Sequence, residues 1–225
     1  MDEQIYQGRE LWPESLEVRQ LFILLHGLGA ESSDLLPLAE QLKEAFPAAG
    51  FFLADGTFPF DGGGHGRQWY SNTGINEENR AVRIAEALPA VHQLVTDAQR
   101  RFNVLQPDTA LVGFSQGAMM ALEFCARHDG SAGRVIAFAG RYAKLPELPS
   151  ELTTIHLLHG EVDSVIPVEY AYAAYERLRE LQGDVTLDVE SGVGHELQTA
   201  LVKRAIHRLK TTIPMRSWKQ AMSNA

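Results

Sequence analysis

Three short stretches hold side chains able to do chemistry together. "GFSQG" (113–117) sets Ser115 between two glycines, "HGEVDSVIP" (159–167) carries His159 and Asp163, and "SGVGHEL" (191–197) carries His195. A serine hydroxyl is inert near neutral pH until a base takes its proton. Histidine can be that base, and a carboxylate on its second nitrogen fixes the tautomer and stabilises the imidazolium that forms. These residue types suit nucleophilic attack on an acyl carbon, if a fold brings them into hydrogen-bond reach. The G-x-S-x-G spacing has its own reason. The serine would sit in strained backbone at a tight turn, where a Cβ two residues to either side collides with the neighbouring strand and helix. The pattern recurs by chance, so its surroundings decide.

Those surroundings are a strand before the serine and a helix after it. "TALVGF" (109–114) is a continuous apolar run that suits a buried strand, and helical spacing runs from Ser115 to about residue 127. Further buried strands are expected at 21–26, 49–55, 134–140, 153–160 and 185–190, with helices at 34–47, 76–102, 168–182 and 196–211. Pro89 is expected to kink or divide the second of these helices. Strand alternating with helix predicts an α/β fold, a mostly parallel central sheet covered by helices on both faces. Nothing in the chain suggests a linker or repeat. One domain is expected over 1–213, followed by a flexible C-terminal tail over 214–225.

In an open parallel sheet, sites form beyond the carboxyl ends of the strands. Ser115, Asp163 and His195 all fall there. Among the other histidines after the serine, His128 lies at the far end of the serine's helix, His156 within a strand and His207 mid-helix. His159 ends a strand but precedes the best acid. Asp184 and Asp188 belong to the next strand's start and interior, and Asp129 to the wrong end of a helix. Two backbone donors are also needed for a tetrahedral oxyanion. Gln116 N–H, directly after the serine, is one candidate. Leu28 N–H in "HGLGA" (26–30) is the other, although His26 and Gly27 there would equally serve to shape a tight turn. Phe58, Trp69, Tyr70 and Ile75 crowd the glycine-rich stretch at 56–75. They could wall an apolar pocket or staple the loop to the body.

Bulk composition narrows the classes. The net charge of −9 and the lack of a basic stripe longer than "HRLK" (207–210) argue against a nucleic-acid partner. The one cysteine, Cys125, excludes an internal disulfide and a CxxC metal site. "HEL" at 195–197 is not followed by the second histidine of H-E-x-x-H, and "GGGHG" (62–66) lacks the lysine of a phosphate loop. No metal and no cofactor are expected. The N-terminal "MDEQIYQGRELWPESLEVRQ" has no apolar core of a secretory signal and no run is long enough to span a bilayer, so a cytoplasmic location is expected.

"LLHGLGA", "GFSQGAMMAL", "HGEVDSVIP" and "GVGHEL", in this order and spacing, resemble the phospholipase/carboxylesterase family of α/β-hydrolases, the group that contains acyl-protein thioesterases. "GRQWYSNTGINEENR" (66–80) looks closer to the bacterial YpfH-type esterases within it. The resemblance implies a serine hydrolase without a large lid domain, acting on carboxylic esters or thioesters. It places Ser115 as nucleophile, Asp163 and His195 as its partners, and Leu28 and Gln116 as oxyanion donors. The 56–75 loop is not the proline-rich version of the eukaryotic thioesterases, so protein depalmitoylation does not follow from it. The expected partner is a small ester or thioester, with a homodimer left open.

Overall fold

The apolar runs become strands buried on both faces. In the computed structural model, residues 7–14 and 17–223 are described. Residues 1–6, 15 and 16 of the N-terminal stretch read above, and the last two of the tail, lie outside them. The strands are β1 (Gly8–Leu11), β2 (Gln20–Leu25), β3 (Ala49–Ala54), β4 (Phe58–Pro59), β5 (Arg67–Gln68), β6 (Thr109–Phe114), β7 (Arg134–Phe138), β8 (Thr154–Gly160) and β9 (Val185–Glu190). The helices are α1 (Leu36–Ala45), α2 (Glu77–Phe102), α3 (Gln116–Arg127), α4 (Glu169–Glu180), α5 (Thr199–Thr211) and α6 (Met215–Ser223).

Seven strands form one sheet in the order β1-β3-β2-β6-β7-β8-β9. All neighbours are parallel except the edge pair β1–β3. Side chains alternate across it as a two-residue period requires. Leu21, Ile23, Leu25, Leu111, Val135 and Leu157 pack with residues of α2, α3 and α4. Phe22, Leu24, Val112, Ile136 and Leu158 pack on the other face with α1 and α5. This is the α/β-hydrolase arrangement, without a large extra domain. Its consequence for function is directional: β2, β6, β8 and β9 run the same way, so the loops that follow them share one edge.

The structure narrows the expectation for Pro89 and describes part of the tail. Asn76 caps α2 by accepting from Glu78 and Asn79 N–H, and the helix runs unbroken through Pro89 to Phe102, so the proline does not divide it. The proline removes one intrahelical donor, while the apolar face on either side of it (Ala87, Leu88, Val91, Leu94) stays buried and holds the helix in place. Within the tail, Met215–Ser223 form a helix whose first two residues bond to the body. Arg216 Nη1 donates to the carbonyls of Gly133 (3.0 Å) and Leu152 (2.8 Å), and the Met215 N–H donates to Asp184 (2.9 Å).

Histidines inside the sheet make stability depend on pH. His156 in β8 is fully buried, with Nδ1 2.8 Å from the Thr186 hydroxyl and Nε2 3.0 Å from the Arg134 guanidinium. A guanidinium can only donate, so Nε2 accepts and the ring is neutral. Burial, then the charge of Arg134, lowers its pKa to about 3. The unfolded chain takes that proton near pH 6.5. His156 therefore contributes stability that is present above pH 6.5 and is lost as pH falls toward 3. Burial lowers His26 and His159 in the same direction. We expect urea unfolding to show His156 alone losing about 2 kcal/mol between pH 6.5 and 5. His156→Gln removes that titration and should flatten the slope; equal slopes in both proteins would reject the assignment.

Candidate active site

β6 delivers Ser115 into the turn that starts α3. Its backbone is held at φ 53° and ψ −116°, a region that side-chain-bearing residues rarely adopt. The Ser115 N–H donates to Phe138 O at the end of β7 (2.9 Å), which pins the turn to the neighbouring strand. A Cβ at Gly113 would fall on the backbone of Ala118 in α3, and one at Gly117 on the carbonyl of Leu25 in β2. The two glycines thus let helix and strand close against the turn, and the serine hydroxyl is left at the sheet's carboxyl edge.

The loops after β8 and β9 are tied together. The Glu161 N–H donates to Glu190 O and the Val162 N–H to Val193 O, both 3.0 Å. This brings Asp163 and His195, 32 positions apart, into contact: Nδ1 of His195 is 2.7 Å from Oδ2 of Asp163. Nε2 of the same ring is 2.9 Å from Oγ of Ser115, 80 positions away. A carboxylate only accepts, so Nδ1–H donates and Nε2 is left to accept from the serine hydroxyl. Burial would raise the Asp163 carboxyl. The bond from His195 and the N–H groups of Ile166 and Val165 (both 2.9 Å to Oδ1) outweigh it and hold the carboxyl below its usual value. The Phe114 ring stands 5.0 Å from that of His195 and walls its outer side.

Beside the serine lies the loop after β2. Its Gly29 N–H donates to Arg67 O (2.9 Å), and the Arg67 N–H returns a bond to Ala30 O (2.8 Å), so the small β4–β5 hairpin holds this loop in place. His26, fully buried, places its two ring nitrogens 2.7 Å from Gly27 O and 2.8 Å from the Gly56 N–H. The Leu28 and Gln116 N–H groups, on either side of the serine, have no partner among the described residues. Unpaired N–H groups at such a position form a receptor for negative charge.

The aromatic residues divide. Trp69 does not line a pocket: it is buried, with its indole N–H donating to His26 O (2.9 Å) and its backbone N–H to the Gln116 side chain (2.8 Å). A buried indole N–H must find an acceptor, and this one finds it beneath the site. Ile75, partly buried, packs against the core cluster. Phe58 and Tyr70 do line a cleft of about 550 Å³, together with Phe60, Asp61, Arg83 and Glu86. Phe60 joins the cleft to the loop after β2, lying so close to Gly29 that a Cβ there would be 3.3 Å from the ring.

Sequence reasoning missed the Gln116 side chain, which besides accepting from Trp69 donates to Tyr70 O (2.9 Å) and so clamps the 56–75 loop onto α3. It also passed over His159, whose Nε2 lies 3.3 Å from the oxygen of Asp163 that His195 uses. No spacing rule signals the Gln116 contacts, because they depend on how the 56–75 loop docks on α3, and the approach of His159 to Asp163 depends on the turn that follows β8.

Comparison with known proteins bears on family and fold. The chain is 41% identical over 205 residues to esterase YpfH of Escherichia coli (strain K12), covering 91% of this chain and 88% of that protein. Its fold matches the crystal structure of esterase PE8 with a TM-score of 0.85 at 28% identity, over 92% of this chain and 99% of the other. The Bacillus cereus carboxylesterase superposes with a TM-score of 0.78 at 16% identity, over 92% and 95% of the two chains, a likeness of fold. The phospholipase/carboxylesterase family profile matches residues 8–213. With the family match over residues 8–213 and an esterase relative at 41% identity, the chain belongs to the phospholipase/carboxylesterase family of ester-hydrolysing α/β-hydrolases.

Proposed function

We propose that the protein cleaves carboxylic esters through an acyl-enzyme on Ser115, with His195 as general base and acid and Asp163 as its orienting carboxylate. One observation carries this reading: the unbroken chain from Asp163 Oδ2 to His195 Nδ1 (2.7 Å) and from His195 Nε2 to Ser115 Oγ (2.9 Å). His195 takes the serine proton as Oγ attacks the ester carbon. The oxyanion is received by the N–H groups of Leu28 and Gln116 at the amino end of α3, where the helix dipole adds to them. Imidazolium then gives its proton to the leaving alcohol, and water, activated by the same histidine, releases the acid.

The cleft reaches the loop after β2 through Phe60, while none of Ser115, Asp163 and His195 lines it; on this reading it takes the acyl chain. Phe58, Phe60 and Tyr70 offer apolar wall, but Asp61, Arg83 and Glu86 share the lining. A long alkyl chain gains little against those charged groups. Among p-nitrophenyl esters, kcat/KM is therefore expected to fall by about tenfold or more from butyrate to laurate. A rise across the series would reject the short-ester reading and favour a lysophospholipase or acyl-protein thioesterase activity.

A further inference from the structure

α6 presents its apolar side to solvent. Its polar side is on the body, where Arg216 Nη1 donates to Gly133 O and Leu152 O and the Met215 N–H donates to Asp184. Met215, Trp218 and Met222 recur at i, i+3 and i+7. At about 100° per residue they fall within about 60° of one another, on the far side of the helix from Arg216. They are 37%, 57% and 72% exposed, and Ile213 and Leu152 are exposed next to them. A surface helix ordinarily turns such a stripe toward the core, and a stripe left outside marks an interaction surface. α6 also lies beyond residues 8–213, which the family profile matches, so the family's fold does not call for it.

Place and charge say what covers the stripe. Gly133, Leu152 and Asp184 each sit just before a parallel strand, so α6 lies at the edge of the sheet opposite Ser115, Asp163 and His195. That edge is basic. Helices α1 to α5 carry the chain back to it, and each has Lys or Arg in its last turn. Residues 197–225 hold six Lys and Arg, while all 29 acidic residues of the chain precede Leu197. Of the acids near α6, Asp184 is taken up by the Met215 N–H and Thr154, and Asp129 by the N–H groups of Glu151 and Leu152. Glu151, exposed on the adjoining turn, opposes the basic groups. An outward apolar stripe with a tryptophan, framed by lysine and arginine, is the pattern of a helix that lies in the boundary of a bilayer. We propose that α6 docks the protein on an anionic lipid surface, with Met215, Trp218 and Met222 at the level where headgroups meet acyl chains and Lys219 and the basic helix ends among the headgroups. A second copy fits less well, because a two-fold contact through this edge sets the same basic groups against one another. Docked in this way the carboxyl edge of the sheet opens to water, and substrate arrives from solution.

The test sediments the full-length protein with phosphatidylcholine vesicles, with and without phosphatidylglycerol as about a third of the lipid. Binding to the anionic vesicles is expected to exceed binding to phosphatidylcholine alone by about tenfold or more, and to weaken as salt is raised. Trp218→Ser combined with Met222→Ser should lower it by about tenfold or more and leave hydrolysis of p-nitrophenyl butyrate unchanged. Both side chains face solvent, so the fold does not depend on them. Lys219→Glu should lower binding to the anionic vesicles only. A second measurement leaves the stripe intact. In a Trp12→Phe protein, lipids with brominated acyl chains should quench Trp218, because Trp69 is buried and out of their reach. No binding to anionic vesicles, equal binding by the double variant, or no quenching would each overturn the proposal. So would a stable wild-type dimer in light scattering that the double variant turns into monomer, since a second copy would then cover the stripe. None of these outcomes bears on the acyl-enzyme reading, which is tested at Ser115 on the opposite edge.

Discussion

Replacing Ser115 by alanine is expected to lower turnover of an activated short-chain ester by on the order of 10⁶. The size of the effect follows from the division of labour at the site. Without Oγ there is no acyl-enzyme, and His195, whose Nε2 is placed 2.9 Å from that oxygen, has no hydroxyl to activate. On the proposed reading, what remains is the pair of Leu28 and Gln116 N–H donors, which would stabilise whatever oxyanion water itself can generate. The substitution removes one oxygen at a turn secured by the Ser115 N–H to Phe138 O bond, by Gly113 and by Gly117, none of which it touches. Alanine must still adopt φ 53°, as serine does, so folding should be retained. Intact mass after treatment with a fluorophosphonate gives the direct test. One stoichiometric adduct is expected on the wild type and none on Ser115→Ala. An adduct on both would place the nucleophile elsewhere, and none on either would mean a turn built like an elbow but carrying no activated serine.

Much of the sheet could be read in advance because parallel strands buried on both faces leave long apolar runs. "LFILLH", "AGFFLAD", "TALVGF" and "TTIHLLHG" each contain an observed strand to within a residue or two. β1 and the β4–β5 hairpin were not legible. β1 is an edge strand of four partly exposed residues, and the hairpin strands are two residues each, so neither has a periodicity to detect. The α6 helix escaped for another reason. Its register on the body is set by the bonds of Arg216 to carbonyls 64 and 83 positions away, and no local pattern encodes those.

The same distinction runs through the site. Ser115, Asp163 and His195 were placed by the G-x-S-x-G motif, by their positions just beyond the carboxyl ends of parallel strands and by the family resemblance, and the structure brings them into one hydrogen-bonded chain. The walls were not legible to the same degree. Trp69 and Tyr70 are adjacent and both buried, yet one lies beneath the oxyanion loop and the other faces the cleft. Which aromatic does which depends on the Gln116 side chain gripping the loop at both residues. Composition can say that a loop is rich in aromatics; only the docking decides which of them meet substrate.

Replacing Asp163 by asparagine is expected to cost on the order of 10⁴ in kcat, for a reason the bond pattern states in detail. An asparagine can be seated in two ways. With its oxygen in the place of Oδ1 it keeps the N–H groups of Val165 and Ile166, and its amide then points at His195 Nδ1 and His159 Nε2. The amide donates to Nδ1, which pushes the ring proton to Nε2, where it faces Ser115 Oγ and blocks proton removal. Seated the other way, the amide's donors meet two backbone donors, a conflict that costs about as much as losing both bonds. Either orientation leaves His195 without a carboxylate to hold the working tautomer and to stabilise imidazolium. The other two aspartates near these strands are engaged elsewhere: Asp188 by Arg208 (2.8 Å) and Asp184 by Thr154 and the Met215 N–H. Fluorophosphonate labelling of Asp163→Asn should slow in step with kcat, because both need the same deprotonated serine. Near-normal turnover in a folded Asp163→Asn protein would remove Asp163 from the mechanism.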